Sequence, residues 1–201
     1  MNIQEQIINE INSKNLLAFT ISDFIHLGEY ESIKKAMQRL TASKSIRRIS
    51  RGIYDKPNFF NKLNMFSSPN INEIAKAIAR EYNWNICPSG NYALNLLGIS
   101  TQVPSKYVYI SDGPYKLVKI GNNEIYFKHN NKKEIANYSY KTLLVIQALK
   151  SLGKDNITDK IRTKIKDNLS YEDMQKLLNE GKTTSIWIFE EIKKIARIKN
   201  D

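Results

Sequence analysis

Between positions 32 and 51 the chain carries Ser32, Lys34, Lys35, Gln38, Arg39, Lys44, Arg47, Arg48 and Arg51. All nine donate hydrogen bonds and seven are cationic. That is the chemistry of phosphate neutralisation, in which lysine and arginine displace counterions while serine, glutamine and arginine also reach base edges. Residues 32–56 hold eight basic side chains against Asp55 alone, 8 − 1 = +7 of the chain's formal +11. Lys, Asn and Ile share A/T-rich codons, so part of the overall charge can reflect codon bias. Such a bias favours lysine, yet this window holds four arginines. These nine residues are therefore the predicted surface for double-stranded DNA.

Other chemistry is sparse. The sequence has no P-loop, no Gly-x-Gly-x-x-Gly and no second cysteine to pair with Cys87, so no catalytic, metal or cofactor-binding residue is assigned and the reading is of a non-enzyme. Only two histidines are available. His26 falls in a DNA-binding helix pair, where a scaffold or phosphate contact is expected, and His129 ends a strand. A Cys87 nucleophile with His129 as base is conceivable only if the fold brings them together; the ordinary reading of Cys87 is an inert buried residue. Two more basic groups, at 160–166 and 193–199, read as solvated helix faces, with a wider DNA footprint or an acidic partner as the alternative. Tyr107, Tyr109, Tyr115, Tyr126 and Phe127 alternate with lysines, as in sheets that stack single-stranded bases, but cross-strand packing explains them as well.

The elements that position the basic window follow from spacing. Asn2 with Glu5 has the capping-box interval, and Ile3, Ile7, Ile8 and Ile11 recur helically. Thr20 with Asp23 predicts a second cap, opening a short helix that stops at Gly28 in a left-handed conformation. A third helix spans residues 30–42. Its Ile33, Ala36, Met37 and Leu40 fall at i, i+3, i+4 and i+7, which leaves Ser32, Lys35, Gln38 and Arg39 on the opposite face. Residues 46–54 then read as a hairpin about Ser50-Arg51-Gly52. Ile46 and Ile49 cannot both face inward from one regular strand, so one must lie outside the pairing. If Ile49 packs down, Arg48 points away from the core, Arg51 stands at the tip and Arg47 shares the inner face. Helices followed by such a hairpin constitute a winged helix-turn-helix.

Residues 30–54, with Ala36, Arg39-Leu40 and the run Arg47-Arg48-Ile49-Ser50-Arg51-Gly52-Ile53-Tyr54, resemble the N-terminal winged helix of AbiEi-type antitoxins of type IV toxin-antitoxin systems. Asn95-Leu96-Leu97-Gly98-Ile99-Ser100-Thr101-Gln102-Val103-Pro104 resembles the DUF6088 branch of those proteins, and the likeness extends to about residue 150. What the resemblance implies is a transcriptional autorepressor acting in phage defence. Its DNA partner would be inverted repeats in its own promoter, and its second domain would counteract a co-encoded nucleotidyltransferase toxin without requiring a stable complex. The chain is not read as that toxin, because Ser89-Gly90 is followed by no closely spaced carboxylate pair.

The expected fold is α+β. A winged helix over residues 1–56 and a linker over 57–69 precede a mixed domain over 70–201, which has a small antiparallel sheet and C-terminal helices. Asn70 with Glu73 opens that domain, Pro88-Ser89 opens a helix, and residues 106–129 read as a three-stranded antiparallel meander. In the linker Phe59, Phe60, Leu63, Met65 and Phe66 are expected to dock onto a domain. There is no 18-residue apolar run and no charged start followed by an apolar stretch, so the expectation is a soluble cytoplasmic protein with no membrane partner. Two other readings stay open: a protein-interaction module or plain transcriptional regulator without a toxin, and an RNA-binding or nucleic-acid-processing enzyme.

Overall fold

The computed structural model describes residues 2–131 and 135–198. The chain is a mixed α+β protein that divides into two compact units after Trp84. No helix among the described residues is long and apolar enough to cross a membrane.

The first unit starts with α1 (Ile3–Ser13), fixed by a reciprocal capping box between Asn2 and Glu5. β1 (Ala18–Thr20), which the sequence pattern did not reveal, leads into a 3-10 helix (Ile21–Leu27) and then α2 (Tyr30–Ala42). The Thr20–Asp23 cap forms only in one direction. Asp23 Oδ2 accepts from the Thr20 N–H at 2.9 Å, whereas Thr20 Oγ1 is buried with no partner among the described residues. Gly28 is extended (φ 160°, ψ −172°), not left-handed as expected; the chain straightens there to enter α2.

α2 buries Ile33, Ala36, Met37 and Leu40 against Ile7 and Ile11 of α1, with Phe19, Phe24, Ile46 and Tyr54 completing the core. Burial of each of these larger side chains contributes about 1.5–3 kcal/mol. β2 (Arg47–Ser50) and β3 (Ile53–Asp55) join β1 in a three-stranded antiparallel sheet of order β1-β3-β2. Next, β4 (Phe59–Phe60) and β5 (Met65–Phe66) pair as a hairpin that is its own two-stranded sheet.

α3 (Ile71–Glu81), capped by Asn70, packs on β1 and β3. Arg80 ties it down by donating to both oxygens of Asp23, at 2.8 and 3.2 Å, and to the Ala18 carbonyl. α3 thus belongs to the first unit, and the boundary expected at residues 57–69 moves to Trp84. The apolar stripe of α3 has the same period whichever sheet it covers.

The second unit is built on a four-stranded sheet of order β6-β7-β9-β8: β6 (Ile86–Ser89), β7 (Lys106–Ser111), β8 (Lys116–Ile120) and β9 (Asn123–His129). The expected meander is corrected. β8 and β9 form an antiparallel hairpin about Gly121 (φ +57°), but β9 inserts between β7 and β8 and runs parallel to β7. Alternation encodes the faces of a strand and not its neighbours. Pro88 lies inside β6, an edge strand where a missing N–H is tolerated, and the helix expected there begins one residue after Ser89 as α4 (Gly90–Leu96). α5 (Tyr140–Leu152) is buried from Thr142 to Leu149 and is the centre of this unit. α7 (Tyr171–Glu180) and α8 (Ile186–Arg197) pack against it, and α6 (Asp159–Asp167) packs on α8.

Candidate nucleic-acid interface

The core packing of α2 decides what the helix presents. With Ile33, Ala36, Met37 and Leu40 inward, Ser32, Lys35, Gln38 and Arg39 are exposed. Lys35, Gln38 and Arg39 stand at i, i+3 and i+4, one continuous strip. Lys34 turns away from that strip. It is half-buried, with Nζ 3.2 Å from Glu31 Oε1 and 5.8 Å from the Tyr30 ring centre, so its charge is met within the helix.

α2 ends in an unusual way. Lys44 is exposed with φ +60°, and the Ser45 and Ile46 N–H groups turn back onto the Leu40 carbonyl. The other three non-glycine residues with positive φ among those described are asparagines, which tolerate this region better than lysine does.

In the hairpin, Arg47 lies opposite Asp55, Arg48 opposite Tyr54 and Ser50 opposite Ile53, which leaves Ile49 as an unpaired bulge. The conflict between Ile46 and Ile49 is settled by burying Ile46 just before the strand and half-burying Ile49 in the bulge. The faces are the reverse of those expected. By register Arg48 shares a sheet face with Tyr54 and Phe19, and Arg47 lies on the other face with Asp55 and Ala18. Arg48 is nevertheless exposed, because β2 is the sheet edge.

Arg47 is occupied. Its Nε and Nη2 donate to the two carboxylate oxygens of the buried Asp55 at 3.0 and 2.6 Å, a bidentate pair that fixes β2 to β3. Among the described residues Arg48 makes one hydrogen bond, from Nε to the Ser50 carbonyl at 3.3 Å. Arg51 stands exposed at the tip, on a turn closed by Gly52 at φ +80°. Among the described residues, Lys35, Arg39, Lys44, Arg48 and Arg51 form no ion pair within 4 Å. The seven cations from Lys34 to Arg51 thus resolve into five that are unpaired and two, Lys34 and Arg47, that are neutralised.

The remaining groups have structural partners. His26 Nε2 lies 2.9 Å from Glu10 Oε2, and Lys14 also pairs with Glu10, which ties the 3-10 helix to α1. Cys87 is fully buried, and burial pushes its thiol up to about 12. Cys87 stands in register with Ile110 and Lys128, one position out of step with His129, so the two point to opposite sheet faces. His129 Nδ1 instead lies 2.9 Å from the Gly113 carbonyl. Ser89 Oγ donates to Gln147 Oε1 at 3.0 Å. Among the described residues no three His, Cys, Asp or Glu side chains gather as metal ligands would.

Both C-terminal basic groups are largely engaged. Arg162 donates to the buried Glu191 and to Asp159, Lys164 Nζ reaches the Gly98 carbonyl at 2.7 Å, and Lys166 reaches that of Ile198. Lys193 and Lys194 pair with Glu190 and Glu191. Lys199 lies outside the described residues. Tyr107 and Tyr109 are buried against Tyr92, and Tyr109 stacks on Phe127 at 5.8 Å, so most of the strand aromatics are packing.

Sequence reasoning missed the Arg80–Asp23 anchor, which spans 57 positions and leaves no local signal. The Arg47–Asp55 pair left a faint one, since the two are nearly symmetric about the Arg51-Gly52 turn. No curated protein matches this chain. Its sequence does match, over residues 3–177, a family model described as a family of unknown function, DUF6088. With most of its length matched, the chain belongs to the DUF6088 family.

Proposed function

We propose that the first unit is a winged helix-turn-helix that binds double-stranded DNA, and that the protein is an antitoxin repressing its own operon. α2 enters the major groove with Ser32, Lys35, Gln38 and Arg39, and the wing sets Arg48 and Arg51 against the backbone or the minor groove. The observation that carries this reading is the group of five uncompensated cations on one helix strip, its C-terminal turn and the adjoining hairpin. The arrangement is costly to the fold. Lys35 and Arg39 repel at i, i+4 by a few tenths of a kcal/mol, and Lys44 occupies a backbone region that disfavours it by roughly 1–2 kcal/mol. A polyanion in contact with all five would relieve the repulsion. Lys34 and Arg47 are assigned to holding the surface in shape.

The antitoxin half of the proposal is supported by the resemblance of residues 30–54 and 95–104 to AbiEi-type proteins. On that reading the operator is an inverted repeat in the protein's own promoter, the second unit counteracts a co-encoded nucleotidyltransferase without a stable complex, and the protein works in the cytoplasm by binding rather than turnover. Two measurements test it. Fluorescence anisotropy should show tighter binding to the upstream duplex than to an unrelated one, and no binding at low salt would end the DNA reading. Co-expression with the neighbouring nucleotidyltransferase frame should restore growth. Failure of rescue with DNA binding intact would leave a simple transcriptional regulator.

A further inference from the structure

α2 is polarised along its length. Its N-cap Glu29 and first-turn Glu31 are exposed carboxylates, and Lys34 is spent on Glu31 at 3.2 Å. The unpaired cations begin only at Lys35 and continue through Arg39 and Lys44 to the hairpin. A DNA groove is walled by phosphates, so the acidic first turn is repelled where the second half of the helix is attracted. A recognition helix commonly meets base edges with its N-terminal residues. Here the charge selects the other half.

On the side opposite the buried stripe, that half presents Lys35, Gln38 and Ala42 at i, i+3 and i+7, all exposed. Ser32 lies on the flank, two turns before Arg39. Gln38 makes no hydrogen bond among the described residues, so its amide offers a donor and an acceptor side by side. The N–H can donate to adenine N7 while the carbonyl accepts from the adenine N6 amine, a match made in the major groove. One turn on, Ala42 carries a bare methyl about 6 Å further along the axis, close to the span of two base steps. A methyl there suits the thymine methyl.

We propose that α2 reads sequence through its C-terminal half, with Gln38 on an adenine and Ala42 on a neighbouring thymine methyl, while the cations around them meet phosphate. The inference rests on the DNA reading above and adds which bases are read and from which end of the helix. Cations held by phosphate carry no sequence information, which leaves the task to the uncharged groups between them.

The test is selection from a pool of duplexes randomised over about 20 base pairs, two half-sites in length, with circular dichroism to establish that each variant is folded. The wild type should enrich an A·T pair that Gln38→Ala no longer selects while the other positions are kept, and Gln38→Arg should select G·C at that position. On the wild-type motif Gln38→Ala should lose roughly 5- to 150-fold in affinity with the salt slope retained, because the same phosphates are met. Deoxyuridine in place of the neighbouring thymine should weaken wild-type binding and leave Ala42→Gly indifferent; equal loss in both overturns the Ala42 contact. A Gln38→Ala motif that keeps every position, or a position lost in Ser32→Ala instead, overturns the inference. So does a wild type that binds all duplexes alike, with the DNA reading intact. Absence of binding to any duplex removes the DNA reading itself and this inference with it.

Discussion

Replacing Arg51 by alanine removes one uncompensated cation from the tip of the hairpin, and the expected effect is a change in how binding responds to salt. If all five free cations meet phosphate, log K against log salt has a slope of about −0.9 × 5, or about −4.5. Between 50 and 200 mM salt, a fourfold change, affinity then falls by roughly 500-fold. Arg51→Ala lowers the slope to about −3.6 and the loss to roughly 150-fold, and the Arg48→Ala/Arg51→Ala double variant gives about −2.7 and roughly 40-fold. Arg47→Ala is the internal control. Its guanidinium is matched by Asp55, so the slope should stay at the wild-type value while stability drops by about 2 kcal/mol, a figure reduced because Arg47 is partly exposed. The assay is anisotropy of a labelled upstream duplex over a salt series, with circular dichroism to establish that each variant is folded. A slope unchanged in Arg51→Ala, or lowered equally by Arg47→Ala, refutes the assignment of free and neutralised cations.

Other expectations follow from the same geometry. Lys44→Asn should raise thermal stability by up to about 1 kcal/mol, because asparagine tolerates positive φ, yet weaken DNA binding and lower the salt slope by about 1. Arg162→Ala should destabilise the second unit by about 3 kcal/mol in chemical denaturation by leaving the buried Glu191 short of a partner, with no effect on the salt slope. The chain should also lose stability in acid. Burial raises the Glu191 pKa, but hydrogen bonds from Lys194 and Arg162 outweigh it and leave the group below the ordinary range; Glu180 is likewise lowered by Ser139 and Thr142 against its burial. A depressed folded pKa means that the unfolded chain binds more protons. The contribution is therefore full above the ordinary glutamate value of about 4.3 and is lost as pH falls through the folded values. Glu191→Gln should flatten this acid limb when unfolding is followed against pH.

What could be read from sequence was whatever local chemistry decides. Asn2–Glu5 and Asn70–Glu73 cap as their spacing requires, and α2 buries the four residues its period selects. Even the bulge at Ile49 was foreshadowed by two isoleucines three apart. What could not be read depends on partners distant in the chain. The faces of Arg47 and Arg48 are set by pairing with β3, the place of α3 by Arg80 reaching Asp23, and the strand order by β9 entering between its predecessors. The nine residues of the basic window were legible as a group. Their division into free and spent charges was not, since neutralisation of Arg47 needs Asp55 to be both opposite and buried.

The placement of β9 also bears on how the second unit is made. A chain emerging from the ribosome completes β7 before β8, yet the two never become neighbours. Local β8–β9 pairing about Gly121 is the fast event, on the order of microseconds, and the hairpin must then add to β7 through its second strand. Until residue 129 is available, β7 keeps one open edge carrying Tyr107, Tyr109 and Ile110, the kind of edge that recruits foreign strands. A chain that has emerged from the ribosome only to a point between residues 111 and 129 is thus the form of this protein most exposed to misassembly.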